Sequence, residues 1–187
     1  PLLARGTGPV DITIAASSGT TGAGRKADLA LSFSEVSSNL RAYRVGRHQH
    51  VPEISAGLER RTGRPVRVTF VPQLVPIPRG ILASAIVPNE KSLTQPEALD
   101  AFRAFYAEAP FVRVVDGSLR LPEVADVLGT NYCDVAPIVD EAGGTIVVVA
   151  VIDNLVKGAA GQAVQVANLV LGLPETTGLL GRPCEVS

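Results

Sequence analysis

The sequence predicts an α+β fold, a mixed and largely antiparallel sheet covered by helices. Three observations carry this. Val66, Val68 and Phe70 alternate as strand residues do, and Thr145 to Ile152 is a Val-rich apolar run of strand length. Leu99, Phe102, Phe105 and Tyr106 fall on one face of a helical stretch. The elements run strand, loop, helix, two strands, helix, three strands, helix, an order that puts helices on one face of the sheet.

Taken in turn, Val10 to Ala15 reads as a short strand. It enters Ser17-Ser18-Gly19-Thr20-Thr21-Gly22-Ala23-Gly24-Arg25-Lys26, a loop of small residues. Such loops tolerate positive φ and close backbone approach. Positions 28–39 lack strong periodicity. Pro52 stands where a first helical turn accepts proline, and Val51, Ile54 and Leu58 form a stripe, so 52–61 is predicted helical. A strand over 66–75 is interrupted by Pro76 and Pro78, and a second follows at about 80–87. Thr94, with Glu97 as its capping-box partner, opens a helix over 95–108. Strands follow at 111–115, 132–139 and 145–152, with turns at Asp116-Gly117 and Glu141 to Gly144. A helix over 159–171 stops at Gly172 and Pro174. Residues 1–179 are expected to form one domain and 180–187 a loose tail.

The 187 residues suffice for one domain, and an apolar content of 46% marks a globular chain. With 17 basic against 18 acidic residues, nothing points to nucleic acid or an anionic membrane. The longest apolar run, Ile146 to Ile152, is too short to span a bilayer. No signal peptide is visible, and Cys133 and Cys184 form no disulfide framework, so a reducing, cytoplasmic location is the simpler expectation. The chain opens Pro1-Leu2-Leu3 and has no Met, so it reads as a fragment or processed piece.

Four segments carry candidate chemistry. Ser18 to Arg25 offers glycines, hydroxyls and an arginine, either an anion cradle or a surface turn. Arg41-Ala42-Tyr43 leads to His48-Gln49-His50, where a histidine suits proton transfer. The same pair could cap the following helix, or ligate zinc if further ligands joined it, and Glu53 alone is near. Arg79, after a rigid Pro76-Ile77-Pro78 bend, could hold an anion or pair with a carboxylate. Asn154 and Lys157 lie between the Val-rich strand and a helix of small residues, where a ligand would meet the helix N-terminus, though Lys157 also fits a solvated charge. Cys133 sits in an apolar strand with no histidine nearby in sequence, so it is not read as a nucleophile. No strand is followed by Gly-x-Gly-x-x-Gly, so no dinucleotide-binding half is expected in this chain.

These segments together resemble the N-acetyl-gamma-glutamyl-phosphate reductase family. Ser18-Gly19-Thr20-Thr21-Gly22-Ala23-Gly24-Arg25 is similar to its Ser-Gly-x-Ser-Gly-Ala-Gly-Arg segment, with Thr21 for the second Ser. His48-Gln49-His50-Val51-Pro52-Glu53-Ile54 is similar to its His-x-His-x-Pro-Glu-Ile segment. Leu74 to Ile81, Asn131 to Asp134, and Asn154 to Gln165 running on to Leu179 complete the set in order.

The resemblance implies a C-terminal domain like that of glyceraldehyde-phosphate dehydrogenase, carrying substrate groups and a homo-oligomer interface through its sheet. It implies an N-terminal NADP domain and a nucleophilic cysteine, both outside this chain, so that the chain alone is inactive. The implied reaction converts N-acetyl-glutamyl-5-phosphate to the semialdehyde and phosphate, in arginine biosynthesis. An aminoadipate-type reductase of lysine biosynthesis, or a non-catalytic dimerisation module of the same fold, are the alternatives. His48 matches the acid/base histidine. Ser18, Gly19, Arg25, Arg41, Tyr43 and His50 are expected at the substrate, and Asn154 and Gly158 toward the nicotinamide, with no metal.

Overall fold

The computed structural model describes residues 2–3, 8–24 and 28–180. Seven strands form one sheet in the order β2-β3-β1-β4-β7-β6-β5. They are β1 (Val10–Ser18), β2 (Arg41–Ala42), β3 (Val66–Leu74), β4 (Ile81–Pro88), β5 (Val112–Val114), β6 (Cys133–Asp140) and β7 (Thr145–Ile152). Pairings β1–β3 and β5–β6 are parallel and the other four antiparallel, which is the mixed, largely antiparallel sheet expected.

Register assigns the faces. Val10, Ile12, Val66, Val87, Val135 and Ile146 share one face and form the core. Helix α1 (Phe33–Val36) is a single turn, in the stretch that showed no periodicity. Helix α2 (Val51–Thr62) sends Leu58 into the core and ends at Gly63 with φ 69°. Helix α3 (Gln95–Phe105) sends in Ala98 and Phe102. The Thr94 N–H and hydroxyl both donate to the Glu97 carboxylate, at 2.8 and 2.7 Å, so the α3 capping signal was correct. That helix stops three residues short of the predicted end, where the chain turns through Tyr106 toward β5.

The opposite face is covered at one side only. The segment after β5 folds back over β6, and a Cβ on Gly117 would lie 2.9 Å from Ile138. Over β1, β3 and β4 this face stays partly open, with Ile86 44% exposed beside Ala15, Leu82 and Ser84.

The last helix differs most from its sequence reading. Residues 156–160 form a π turn, and α4 proper is Gly161–Val170. The Gly158 N–H donates to the Asp153 carbonyl and the Ala160 N–H to the Leu155 carbonyl, both i→i−5 bonds. Gly161 allows the wider turn to approach β6, since a Cβ there would lie 2.3 Å from Asn131 Oδ1. Val166, Leu169, Val170 and Leu171 point away from the core and are exposed.

Candidate functional site

Register places one row of residues along a single end of the sheet. Arg41 pairs with Leu74, Leu74 with Ser18, Ser18 with Ile81, Ile81 with Ile152, and Ile152 with Cys133. The loops at that end are 19–24, 75–80, 131–132 and 153–158, while 43–50 leaves antiparallel β2 back along β3 toward Phe70; all were singled out from sequence.

Two side-chain clusters form, one beside Phe70 of β3 and one at that end. In the first, His48 is 8% exposed and is surrounded edge-on by three rings. Ring centroids lie 5.7 Å away for Tyr43, 5.1 Å for His50 and 5.0 Å for Phe70 of β3. The His50 backbone N–H donates to His48 Nδ1 at 3.3 Å. Burial, then the neighbouring His50 and the Arg44 guanidinium, hold the His48 pKa below its ordinary value. Burial pushes the half-buried Tyr43 hydroxyl up, and Arg44 opposes that. Arg44 has φ 47°, a left-handed backbone that costs a non-glycine residue about 1–2 kcal/mol. Sequence reasoning thus found Tyr43, His48 and His50, and missed Arg44 and Phe70.

The second cluster fastens the loops to one another. Gly19, Thr20 and Thr21 donate their N–H groups to Gly80, Ile77 and Pro78 carbonyls at 2.9, 3.0 and 3.1 Å. Gly22 and Gly24 donate to Gly19 and Thr21. A Cβ on Gly19 would lie 2.9 Å from three backbone atoms of the 77–79 bend, so this glycine serves loop packing. Of the two readings of this loop, anion cradle or surface turn, the N–H groups of Gly19, Thr20, Thr21, Gly22 and Gly24 fit the turn, since all five bond within the chain. The Ser18 hydroxyl donates to the Gly19 carbonyl. Arg25 lies outside the described residues. Arg41 donates from its guanidinium to the Ala30 carbonyl, bracing the segment before α1.

Asn154 is also committed. Its Oδ1 accepts the Gly80 N–H at 2.7 Å and its Nδ2 donates to Thr21 Oγ1 at 2.9 Å. It braces two loops, and the exposed Gly158 donates its N–H to the Asp153 carbonyl.

The residue missed by sequence reasoning here is Asp153, which is fully buried. Its carboxylate accepts the Gly129 N–H at 2.8 Å, the Leu155 N–H at 2.8 Å and the Val156 N–H at 3.0 Å. It also pairs with the Arg79 guanidinium at 2.8 Å, which settles Arg79 as a carboxylate partner. An Asp two and three residues ahead of helical N–H groups is a capping pattern, and that signal was available.

Gly80 sits where these loops meet, with φ 104° and a virtual Cβ 2.1 Å from Val124 Cγ1. Gly80→Ala should lower stability by at least about 2 kcal/mol, adding left-handed strain to overpacking. Urea denaturation measures it, and an unchanged midpoint would contradict the close approach.

Burial pushes the Cys133 thiol up to about 11, so almost none is thiolate near neutrality. Among the described residues, no three His, Cys, Asp or Glu side chains could share a metal ion. No helix among them is long and apolar enough to cross a membrane.

The fold is a mixed sheet with polar loops gathered at one end and a covered histidine beside β3. The chain belongs to the semialdehyde dehydrogenase family: residues 1–154 match that family's dimerisation domain. It is 50% identical over 182 residues to the N-acetyl-gamma-glutamyl-phosphate reductase of Symbiobacterium thermophilum, covering 96% of this chain and 52% of the relative. It is 49% identical over 180 residues to the enzyme of the same name from Frankia casuarinae, with the same coverage. The chain thus spans about half the length of the curated relatives it matches. Among solved structures, aspartate semialdehyde dehydrogenase II from Vibrio cholerae superposes with a TM-score of 0.66 at 18% identity, over 87% of this chain and 55% of that one. That likeness establishes the fold.

Proposed function

We propose that this chain is the substrate-binding and dimerising half of a reductase that converts N-acetyl-glutamyl-5-phosphate to its semialdehyde and phosphate, in the cytoplasm, for arginine biosynthesis. The observation that carries the reading is the covered His48, ringed by Tyr43, His50 and Phe70, in a chain whose relatives bear that enzyme's name.

His48 is the group assigned to the reacting carbonyl oxygen. When a thiolate adds to the acyl phosphate, the carbonyl electron pair moves to that oxygen, and phosphate leaves as the pair returns. A covered imidazole donates a hydrogen bond to the oxygen more strongly than one in bulk water. Tyr43, His50 and the Arg44 guanidinium surround it, and their polar character suits an anionic substrate. The Ser18 hydroxyl, Arg25 and the remaining Arg41 donors are proposed for the substrate's carboxylate or phosphate.

NADP, the cofactor that the resemblance implies, is not assigned to the loop after β1, where the Gly19, Thr20, Thr21, Gly22 and Gly24 N–H groups donate to carbonyls of this chain. Its binding belongs to the part of the protein that the relatives possess beyond this chain. The open sheet face around Ile86 is assigned to the partner copy, and the exposed face of α4 to the cofactor domain.

The test is turnover. The complete protein, given N-acetyl-glutamyl phosphate and NADPH, should release phosphate and form aldehyde, and the 187 residues alone should not. Turnover by the chain alone would overturn the division of labour. A preference for the aminoadipate homologue, one methylene longer and separable by about 1–3 kcal/mol, would move the enzyme to the lysine pathway.

A further inference from the structure

We propose that the backbone N–H of His50 is a positioning group for His48: it keeps the neutral imidazole protonated on Nε2, so that Nε2–H is the bond His48 offers to substrate oxygen. The mechanistic half of this rests on the reading of His48 given above, whereas the tautomer stands on geometry alone.

The His50 N–H donates to His48 Nδ1 at 3.3 Å, and a donor there requires a lone pair on Nδ1. In a neutral imidazole the proton then sits on the other nitrogen. A second proton on Nδ1 would set two N–H groups against each other, and relief would need the ring to swing. Tyr43, His50 and Phe70 oppose a swing, meeting the ring at 64°, 68° and 61° to its plane.

Arg44, the charge facing His48, acts in the same direction. Tyr43 and Arg44 face it from the segment after β2 and His50 from the start of α2, while β3 presents the uncharged Phe70. None of these is an acid that would hold an imidazolium. The N-terminus of α2, with its positive end, adds to this.

A neutral Nε2–H donor has a defined use. As a thiolate adds to an acyl carbon, the C–S bond forms and the carbonyl pair moves onto oxygen, which accepts the Nε2–H hydrogen bond. The pair then re-forms the double bond, the C–O bond to phosphate breaks, and phosphate leaves with those electrons. The proton stays on Nε2 throughout, and such a donor accelerates acyl transfer about 10²–10³-fold.

The chain has two histidines, so nitrogen spectra can be read residue by residue. Long-range proton–nitrogen correlation on the labelled 187-residue chain gives the tautomer, and His50→Ala, which keeps the backbone N–H, assigns the signals. At about pH 8, above the ordinary histidine range, His48 should show a protonated Nε2 and a bare Nδ1, in the native chain and in His50→Ala. A protonated Nδ1, in either the other tautomer or an imidazolium, would overturn the proposal. His50→Pro removes the N–H and should let the Nδ1–H form appear. Retention of the native pattern there would show that another group sets the tautomer, and if that variant does not fold, the native spectrum decides. This outcome is separate from the reductase reading: full turnover by His48→Ala in the complete enzyme would end that reading and leave the tautomer intact.

Discussion

Replacing His48 by Ala in the complete reductase should lower kcat by about 10²–10⁴-fold, the range associated with a positioned proton-bearing side chain. KM should change much less, because the ring acts on an oxygen whose charge grows only during reaction. The fold should survive, since the lost packing is confined to the edges of Tyr43, His50 and Phe70. Stability also acquires a pH signature. The folded-state pKa of His48 is depressed by burial, then by the neighbouring His50 and Arg44, so the unfolded chain binds more protons. The stability contribution is fully present above the unfolded value of about 6.5 and is lost as pH falls through the folded value. His48→Ala should remove that part of the acid-side decline, so melting curves taken from about pH 7 downward should be flatter than those of the native protein. Identical slopes would show that the ring is not buried as described.

Asp153→Ala should be the most destabilising single change, about 3–5 kcal/mol. It strips the acceptor from three backbone N–H groups and leaves the Arg79 guanidinium without its carboxylate. In a domain of this size that corresponds to a melting temperature lower by roughly 10 °C or more. Activity should fall with it, because the 75–80, 127–130 and 153–156 segments all fasten to this carboxylate. Burial works to raise the Asp153 pKa, and the Gly129, Leu155 and Val156 N–H groups with Arg79 outweigh it, so the group titrates below the usual carboxylate range. The stabilisation is therefore complete above the unfolded value of about 4 and disappears as pH falls through the lower folded value. Asp153→Asn keeps one acceptor oxygen and should lie between the two. A melting temperature unchanged in Asp153→Ala would refute the bracing role.

Most of the sheet could be read from the chain because its strands are long and β-branched. β7 was placed to the residue, and β3 and β4 to within one. β2 was not, since two residues carry no periodicity and Arg41–Ala42 is a strand only because β3 lies beside it. The π turn before α4 escaped for a similar reason. It is set by Asp153, by the approach of Asn131 and by Gly161, none of which alters an apolar pattern.

At the site, His48 and Tyr43 were legible as chemistry and prove to be neighbours. The glycines at 19–24 left two readings open, because a glycine needed where two loops touch looks in sequence like one needed for a ligand. Gly19 serves the first need, against the 77–79 bend. The bracing role of Asn154 was not legible either, as its amide bonds Gly80 and Thr21 far away in the chain. What joins these residues is contact between loops far apart in the chain, and only the sheet register brings them together.

We propose that this domain supplies the oxygen-side histidine and the bracing for a thiol outside this chain. Incubating the complete enzyme with acyl phosphate and no reductant, then mapping the trapped thioester by peptide mass, tests it most directly. The acyl group should be found on a cysteine outside these 187 residues, with Cys133 unmodified as its raised pKa of about 11 requires. An adduct on Cys133 would contradict the account.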